Sequence, residues 1–192
     1  MPNEKILGQG GNSYTGGSAS QYLYLAKFVA PVNATAKEIR FLSTVQQTGQ
    51  LGIYADSGGE PGSRLYQWGY DAIGGSGWQT HTMTGDVAIV KDNVYWIGGG
   101  ASTGGSEIVY YGVAGLTLRY KSWAWYNTLP NPAGGGFTTL DDYTLVMELW
   151  GIVEAPSGWP NIGKVNGVAA AGISKINGVP VADIAKLKGI TV

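Results

Sequence analysis

Short apolar segments separated by glycine-rich turns run through most of the chain, and this pattern constrains its fold more than any other sequence feature. In the segment 36–45, Ile39 and Phe41 fall on one side. Glu38 and Arg40 fall on the other side, which gives the two-residue period of a half-buried β-strand. Most such segments end at glycine, proline, asparagine or aspartate, which favour turns. The pattern therefore predicts nine or ten short strands and no helix in the body.

The composition also favours strands joined by tight turns. The 192 residues include 32 glycines, 7 tryptophans and 12 tyrosines, whereas only 13% are charged. We predict an all-β fold, an antiparallel β-sandwich that is jelly-roll-like, over residues 21–152. Residues 1–20 are rich in glycine, serine and asparagine and are predicted to form an N-terminal arm. Residues 153–161 are a Pro/Gly linker to a C-terminal appendage, residues 162–192.

Several classes of protein are disfavoured by what the sequence lacks. Without cysteine, the chain cannot form a disulfide framework or a thiolate zinc site. A formal net charge of −1 is far from the dense basic face that nucleic acids require. No apolar run approaches the length of a membrane span, and the first residues lack a signal-peptide pattern. We therefore expect no nucleic-acid partner, no membrane insertion, no cofactor and synthesis in a cytoplasm.

The C-terminal appendage repeats with a period of eleven residues. Three residue types recur at matched positions: isoleucine at 162, 173 and 184, lysine at 164, 175 and 186, and glycine at 167, 178 and 189. A unit of this size cannot bury its own apolar side, so it must stack on copies of itself or on another chain. The appendage holds four lysines and one aspartate, whereas the rest holds eight basic and twelve acidic residues. It is therefore the only basic part of the chain.

Each repeat is predicted to be a short extended run followed by one helical turn. Glycine in every copy and Pro180 in the middle copy argue against a coiled coil. Asp183 can cap a turn at 184–188, and Gly189 can end it. The apolar edge of the three copies comprises Ile162, Val165, Val168, Ile173, Ile176, Val179, Ile184, Leu187 and Ile190. We expect this edge to form a homo-oligomer, most simply a homotrimer, or to dock onto an acidic neighbour. A floppy tail, or a strip packed on its own body, is the alternative.

Four stretches of the body, at 51–63, 77–83, 93–97 and 142–148, carry a resemblance to a known module. The first includes Tyr54-Ala-Asp-Ser-Gly-Gly-Glu-Pro-Gly62. The body resembles a jelly-roll module of phage and of bacterial and archaeal surface proteins, and the likeness implies the fold more than a function. Residues 174–179, Ser-Lys-Ile-Asn-Gly-Val, resemble C-terminal repeats of phage structural proteins. The extra tryptophans of 122–127 depart from the module.

Catalytic chemistry finds little support in the sequence. His81 is the only histidine, and it is expected to face solvent on an alternating strand. Asp141 and Asp142 are adjacent, so on a strand their carboxylates would point to opposite faces. No nucleophile motif accompanies them. We therefore do not expect an enzyme.

Asp56 and Glu60 are weak calcium candidates, with carbonyl oxygens of their loop as further ligands. The alternative is that Asp56 caps the turn through its side chain, while Gly58 and Gly59 supply positive φ angles. The sequence favours this alternative, and no other metal site is predicted.

A ligand surface is predicted at a cluster of aromatic and basic residues within 119–125. Arg119, Lys121, Trp123 and Trp125 would share one face if the strand continued through them. Two tryptophans and two cations could stack against a sugar and bind its hydroxyl groups. Packing in a core or a protein interface is the alternative. Four other tryptophans, Trp68, Trp78, Trp96 and Trp150, are expected in the core.

Together these features predict a structural protein of a bacteriophage virion, either a capsid decoration (cement) protein or a fibre or tail-tip component. Its expected partners are itself and a virion protein such as the major capsid protein or a tail or fibre protein. The alternative is a carbohydrate-binding adhesin module that recognises a host surface glycan.

Overall fold

The structure, a computed structural model, describes residues 3–11, 16–17, 21–44, 47–73, 76–101, 109–123 and 128–154, together with four short strands in the C-terminal appendage. The strands of the body are β1 (Glu4–Gln9), β2 (Gly16–Gly17), β3 (Tyr22–Val29), β4 (Ala34–Ser43), β5 (Gln47–Ser57), β6 (Glu60–Ile73), β7 (Gly77–Ile89), β8 (Val94–Ala101), β9 (Val109–Ser122), β10 (Thr138–Leu145) and β11 (Met147–Val153). None of the described segments is a helix, so none is a helix long and apolar enough to cross a membrane.

Two antiparallel sheets pack face to face. The smaller sheet has the order β1-β11-β4-β7, and the larger has the order β10-β9-β3-β8-β5-β6, with β2 paired to β9. The chain passes from one sheet to the other several times, as in the succession β3, β4 and β5. The predicted fold class, an all-β antiparallel sandwich with jelly-roll-like character, is confirmed.

Alternation along the strands builds the core between the two sheets. Ile39 and Phe41 of β4 are buried there, opposite Leu51 and Ile53 of β5. Met147 and Leu149 of β11 complete the same layer. The predicted inward and outward sides of segment 36–45 are therefore confirmed. Burial of each such aliphatic side chain stabilises the fold by about 1.5–3 kcal/mol before entropy is subtracted.

The N-terminal stretch differs from the predicted arm. Its strand β1 pairs with β11 at the edge of the smaller sheet. Ile6 and Leu7 are both buried in the core. The Gly/Ser composition of residues 1–20 concealed this strand, because only two apolar residues mark it. The body therefore begins near the first residue rather than at 21, and the first compact unit of the chain is Met1–Val153.

A second buried layer covers the outer side of the larger sheet. The segment 128–137, here called the strap, follows β9 and lies over this side. Leu129 and Ala133 of the strap, together with Trp123, pack against Leu25 and Trp96 of the sheet. Glycines form the floor beneath them. A side chain at Gly52 would collide with Leu129, and one at Gly100 would lie 2.5 Å from the Trp123 ring. The strap therefore fits only because the sheet lacks side chains there.

The appendage belongs to the second unit, Glu154–Val192. It contains two hairpins, β12 (Lys164–Val165) with β13 (Val168–Ala169) and β14 (Lys175–Ile176) with β15 (Val179–Pro180). Val165 faces Val168, and Ile176 faces Val179. Each hairpin is joined by Asn-Gly, the dipeptide that most favours a two-residue hairpin turn.

The helical turn predicted for each repeat is therefore wrong in the first two copies, where the lysine and the residue after it lie in a strand. The Asn-Gly turn signal outweighs the three-residue spacing of the apolar side chains. The extended conformation predicted at 179 and 180 is confirmed. Ile162, Ile173, Ile184, Leu187 and Ile190 lie outside the described residues.

A substitution at Gly98 would test how closely strands β8 and β3 approach each other. A methyl group there would collide with the backbone carbonyl oxygen of Tyr24 on β3. We expect Gly98→Ala to lower the free energy of unfolding by about 3 kcal/mol, because neither backbone can retreat. Gly85→Ala is the control, since nothing lies within 4 Å of its added methyl, and it should change stability by less than about 0.5 kcal/mol. Urea denaturation of both variants measures the difference, and equal midpoints would contradict the close approach.

Candidate functional site

The predicted ligand surface on the larger sheet is not exposed. Strand β9 ends at Ser122, so the alternation that would align Arg119 with Trp125 does not continue. Trp123 is only 8% exposed and belongs to the buried layer under the strap. Its backbone N–H donates to the carbonyl oxygen of Gln21 at 2.7 Å. The structure thus buries Trp123 where the sequence predicted an exposed side chain, while Trp125 lies outside the described residues.

The two cations of the same set hold other parts of the protein. The Lys121 amine donates to the carbonyl oxygen of Ala133 in the strap and lies 4.6 Å from the centre of the Phe137 ring. Burial lowers the pKa of Lys121. The Arg119 guanidinium is paired with the Glu60 carboxylate and lies 5.7 Å from the Trp96 ring. Both side chains thus hold other parts of the fold.

Further hydrogen bonds fasten the strap. The backbone N–H of Leu129 donates to the side-chain oxygen of Gln50 at 3.1 Å, and Gln67 donates to the same oxygen at 2.9 Å. Arg64 donates from its guanidinium to the Leu129 carbonyl oxygen. Its backbone N–H reaches the Asn131 side chain at 2.9 Å. The strap is therefore attached along its length by polar groups that surround an apolar centre.

The calcium candidates have protein partners. One oxygen of Asp56 accepts the indole N–H of Trp96 at 2.8 Å, and the other accepts the backbone N–H of Gly59 at 2.8 Å. Glu60 is paired with Arg119. Gly58 and Gly59 have φ angles of 65° and 88°, so the predicted turn capped by Asp56 is confirmed. No cluster of three or more metal-ligating side chains occurs among the described residues.

His81 differs from its predicted exposure. It lies where the edge strands β6 and β7 meet, on the side of β7 that faces the core. Its ring stacks on Trp68 with centroids 4.1 Å apart, and its Nε2 lies 2.9 Å from the Tyr66 hydroxyl. The half-buried imidazole therefore helps to close one side of the sandwich.

One pocket of about 540 Å³ opens at an end of the body. Its walls comprise Ala55, Asp56, Leu65, Ala88, Asp92, Asn93, Val94 and Tyr95. Both Asp56 oxygens already accept hydrogen bonds, and the Tyr95 hydroxyl accepts the N–H of Val90 at 2.8 Å. The walls contain no histidine, serine, cysteine or lysine.

The outer side of the smaller sheet has a different character. We call it the tryptophan face, and its outward side chains are Lys5, Glu38, Arg40, Leu42, Trp78, Thr80, Thr82, Glu148 and Trp150. Neither buried cluster of the described residues lies on this side. Strand register fixes its layout, because Trp150 faces Glu38, Glu148 faces Arg40, and Leu42 faces Trp78.

Hydrogen bonds link the centre of the tryptophan face into one network. Arg40 donates twice to one oxygen of Glu38, at 2.8 and 3.1 Å, and Asn3 donates to the other at 2.7 Å. The Arg40 guanidinium stacks on the Trp150 ring, 3.7 Å from its centre. The indole N–H of Trp150 donates to Glu148 at 2.7 Å. Each of these groups is therefore held in place before any ligand arrives.

Electrostatics reinforce this network. The hydrogen bond from Arg40 holds the pKa of Glu38 below its ordinary value, against the opposing effect of burial. Lys5 lies 3.5 Å from Glu148. Two cations thus balance two carboxylates, and the centre of the face has no net formal charge.

Two tryptophans assigned to the core by the sequence belong to this face. Trp78 is 39% exposed and is the only aromatic residue among the large exposed apolar residues of the described chain. Trp150 is half-buried under Arg40. Trp96 is fully buried, as predicted. The alternation at 78–83 and 147–150 already places Trp78 and Trp150 on the side opposite the core side chains, and that signal could have identified the face.

The strap should open more easily than the core. Leu129 is buried in the second layer, so Leu129→Ala should lower the free energy of unfolding by about 2–4 kcal/mol. Hydrogen exchange at the amides of Leu129 and Ala133 should accelerate more than at Ile97 in β8. Leu65→Ala, at an exposed position, is the control and should shift stability by less than about 0.5 kcal/mol. Uniform acceleration at all three amides would show that the strap does not open separately.

Glu38 should make stability depend on pH. Its folded-state pKa lies below the ordinary value of 4.5, so its stabilising contribution is complete above the unfolded-state pKa and is lost as the pH falls through the folded-state pKa. We expect the free energy of unfolding to fall less steeply between about pH 5 and pH 3 in Glu38→Gln than in the native chain. Urea denaturation across this range measures it. Thr82→Val, at the position facing Glu38, should retain the native slope, and parallel curves for Glu38→Gln would contradict the ion pair's role.

No family model, no curated protein and no solved structure matches this chain.

Proposed function

We propose that this chain is a structural protein of a bacteriophage particle, either a capsid decoration protein or a component of a fibre or tail tip. Its β-sandwich body is the displayed part, and its C-terminal repeats oligomerise or dock. The observation that carries the proposal is the pair of hairpins in the appendage, which share one register at an interval of eleven residues.

Hairpins this small need a partner. Each strand of the two hairpins has two residues, and an isolated two-stranded hairpin is marginal in water even when it is longer. Val165 with Val168, and Ile176 with Val179, form cross-strand apolar pairs at equivalent positions of successive copies. Stacking against the same segment of other chains would bury these pairs in a closed, symmetric assembly. A homotrimer is the simplest such assembly.

Charge and sequence resemblance support a role on a particle. The lysines of the repeats make the appendage basic, whereas the remainder of the chain is acidic. An apolar and lysine-bearing strip suits an acidic protein surface, such as a capsid shell, as well as copies of itself. The likeness of 174–179 to phage structural repeats favours a virion over other assemblies.

Analytical ultracentrifugation tests the oligomer. The full chain should sediment with three times its monomer mass of 20.1 kDa, and a chain ending at Ser157 should be monomeric. In the full chain, Ile176→Ser with Val179→Ser should dissociate the trimer, because two apolar pairs become polar. Ala170→Ser with Ala171→Ser, between the copies, should leave it intact. A monomeric full chain would refute self-association and leave docking to another protein.

Purified particles test the location. Mass spectrometry of virions from a host lysate should find the protein at a stoichiometry similar to other structural proteins. Its absence from particles that contain the capsid and tail proteins would refute the virion role.

A second candidate, a carbohydrate-binding adhesin module, is favoured by the tryptophan face. Exposed indole, ordered carboxylates and exposed threonines occur together there. The two functions are compatible, because a displayed body on a fibre or capsid can bind a glycan of the host surface.

A further inference from the structure

We infer that the tryptophan face binds a neutral oligosaccharide, with Trp78 as the stacking platform and Glu38 and Glu148 as the hydroxyl acceptors. The inference deepens the carbohydrate-binding function proposed above, and it relocates the site from the larger sheet to the smaller one. It does not depend on the appendage.

Trp78 supplies the apolar contact. A pyranose ring has one side of C–H groups, and these pack on the face of an indole in the same way as other apolar groups. Trp78 is 39% exposed near the beginning of β7, on the outward side of the strand. The exposed Thr80 and Thr82 follow it on the same side. Their hydroxyl groups can donate to or accept from sugar hydroxyls.

The carboxylates supply directional contacts. An ionised carboxylate can accept about four hydrogen bonds. Glu38 uses part of this capacity for Asn3 and Arg40, and Glu148 uses part for Trp150. The Glu38 and Glu148 side chains are 17% and 12% exposed, and through this exposed part we infer that they accept from sugar hydroxyls. Because the protein already holds both side chains in one orientation, little rotamer entropy is lost on binding.

Charge balance selects the class of sugar. Lys5 and Arg40 are each paired with a carboxylate of the face, Glu148 and Glu38 respectively. Both cations among the described residues of this face are therefore paired, and an anionic glycan would be repelled by the carboxylates. A neutral, hydroxyl-rich ligand suffers no such penalty.

The layout also selects ligand length. Trp78 pairs with Leu42 of β4, and Trp150 pairs with Glu38 of the same strand. The two tryptophans are therefore separated by two strand spacings across the sheet and by four residues along it. Standard strand spacing and rise place their backbones roughly 17 Å apart. A single sugar cannot bridge that distance, so a chain of several sugars is the ligand that uses the whole face.

A glycan array with the full chain tests the ligand class. Neutral oligosaccharides should be bound in preference to sialylated or sulfated ones. Titration calorimetry with the best neutral ligand then compares three variants. Trp78→Ala should weaken binding by about tenfold or more, and Glu148→Gln should also weaken it. Leu65→Ala removes an apolar side chain of similar exposure, 42%, on the larger sheet and should bind like the native chain.

A second readout does not depend on a variant that folds. In NMR spectra of the native chain, the indole N–H signals of Trp78 and Trp150 should shift when the ligand is added, while that of the buried Trp96 should not. Binding that survives Trp78→Ala with unchanged affinity, or indole signals that do not move, would overturn this site and leave carbohydrate binding elsewhere on the chain. Preference for acidic glycans would overturn the ligand class. No binding to any glycan would overturn both this inference and the adhesin function.

Discussion

Burial of both sides of the larger sheet is the constraint on which the rest of the body depends. Strand β3 shows it most clearly. Leu23 and Leu25 face the strap, Ala26 faces the core between the sheets, and all three are fully buried. One side packs on the smaller sheet, and the strap covers the other. The strap can lie so close because glycines stand beneath Trp123 and Leu129. Cations at its margins, such as Lys121, then bind its carbonyl oxygens instead of facing solvent.

Among the described residues, the smaller sheet is buried on one side only, and the proposed binding surface is its other side. Its outward side chains are held by one another rather than by a covering segment, with Arg40 between Glu38 and Trp150. Such a network costs stability to desolvate, so it suits a surface that meets a polar ligand rather than a core. Trp123, from the aromatic cluster that the sequence favoured as a ligand surface, lies in the second layer, whereas the surface that we propose for recognition is on the opposite sheet.

The appendage differs from the body in the length of its strands and in its repeated sequence. Each described strand of its two hairpins has two residues, and their apolar pairs recur at the interval set by the sequence repeat. In the sequence, Asn-Gly separates the two strands of each hairpin, and this dipeptide favours a two-residue hairpin loop. In the function that we propose, the sandwich serves recognition and the repetitive basic strip serves assembly.

The sequence by itself determined the features that depend on neighbouring residues. Alternation set Ile39 inward and Glu38 outward, glycines 58 and 59 with Asp56 set a turn, and the whole pattern set the β class. Only the tertiary structure decided which outward side is covered. Trp78 lies near the start of β7, and Trp123 directly follows the end of β9. Trp78 is nevertheless exposed, whereas Trp123 is buried. The difference arises because the strap crosses only one of the two sheets, and no local pattern encodes what lies above a strand.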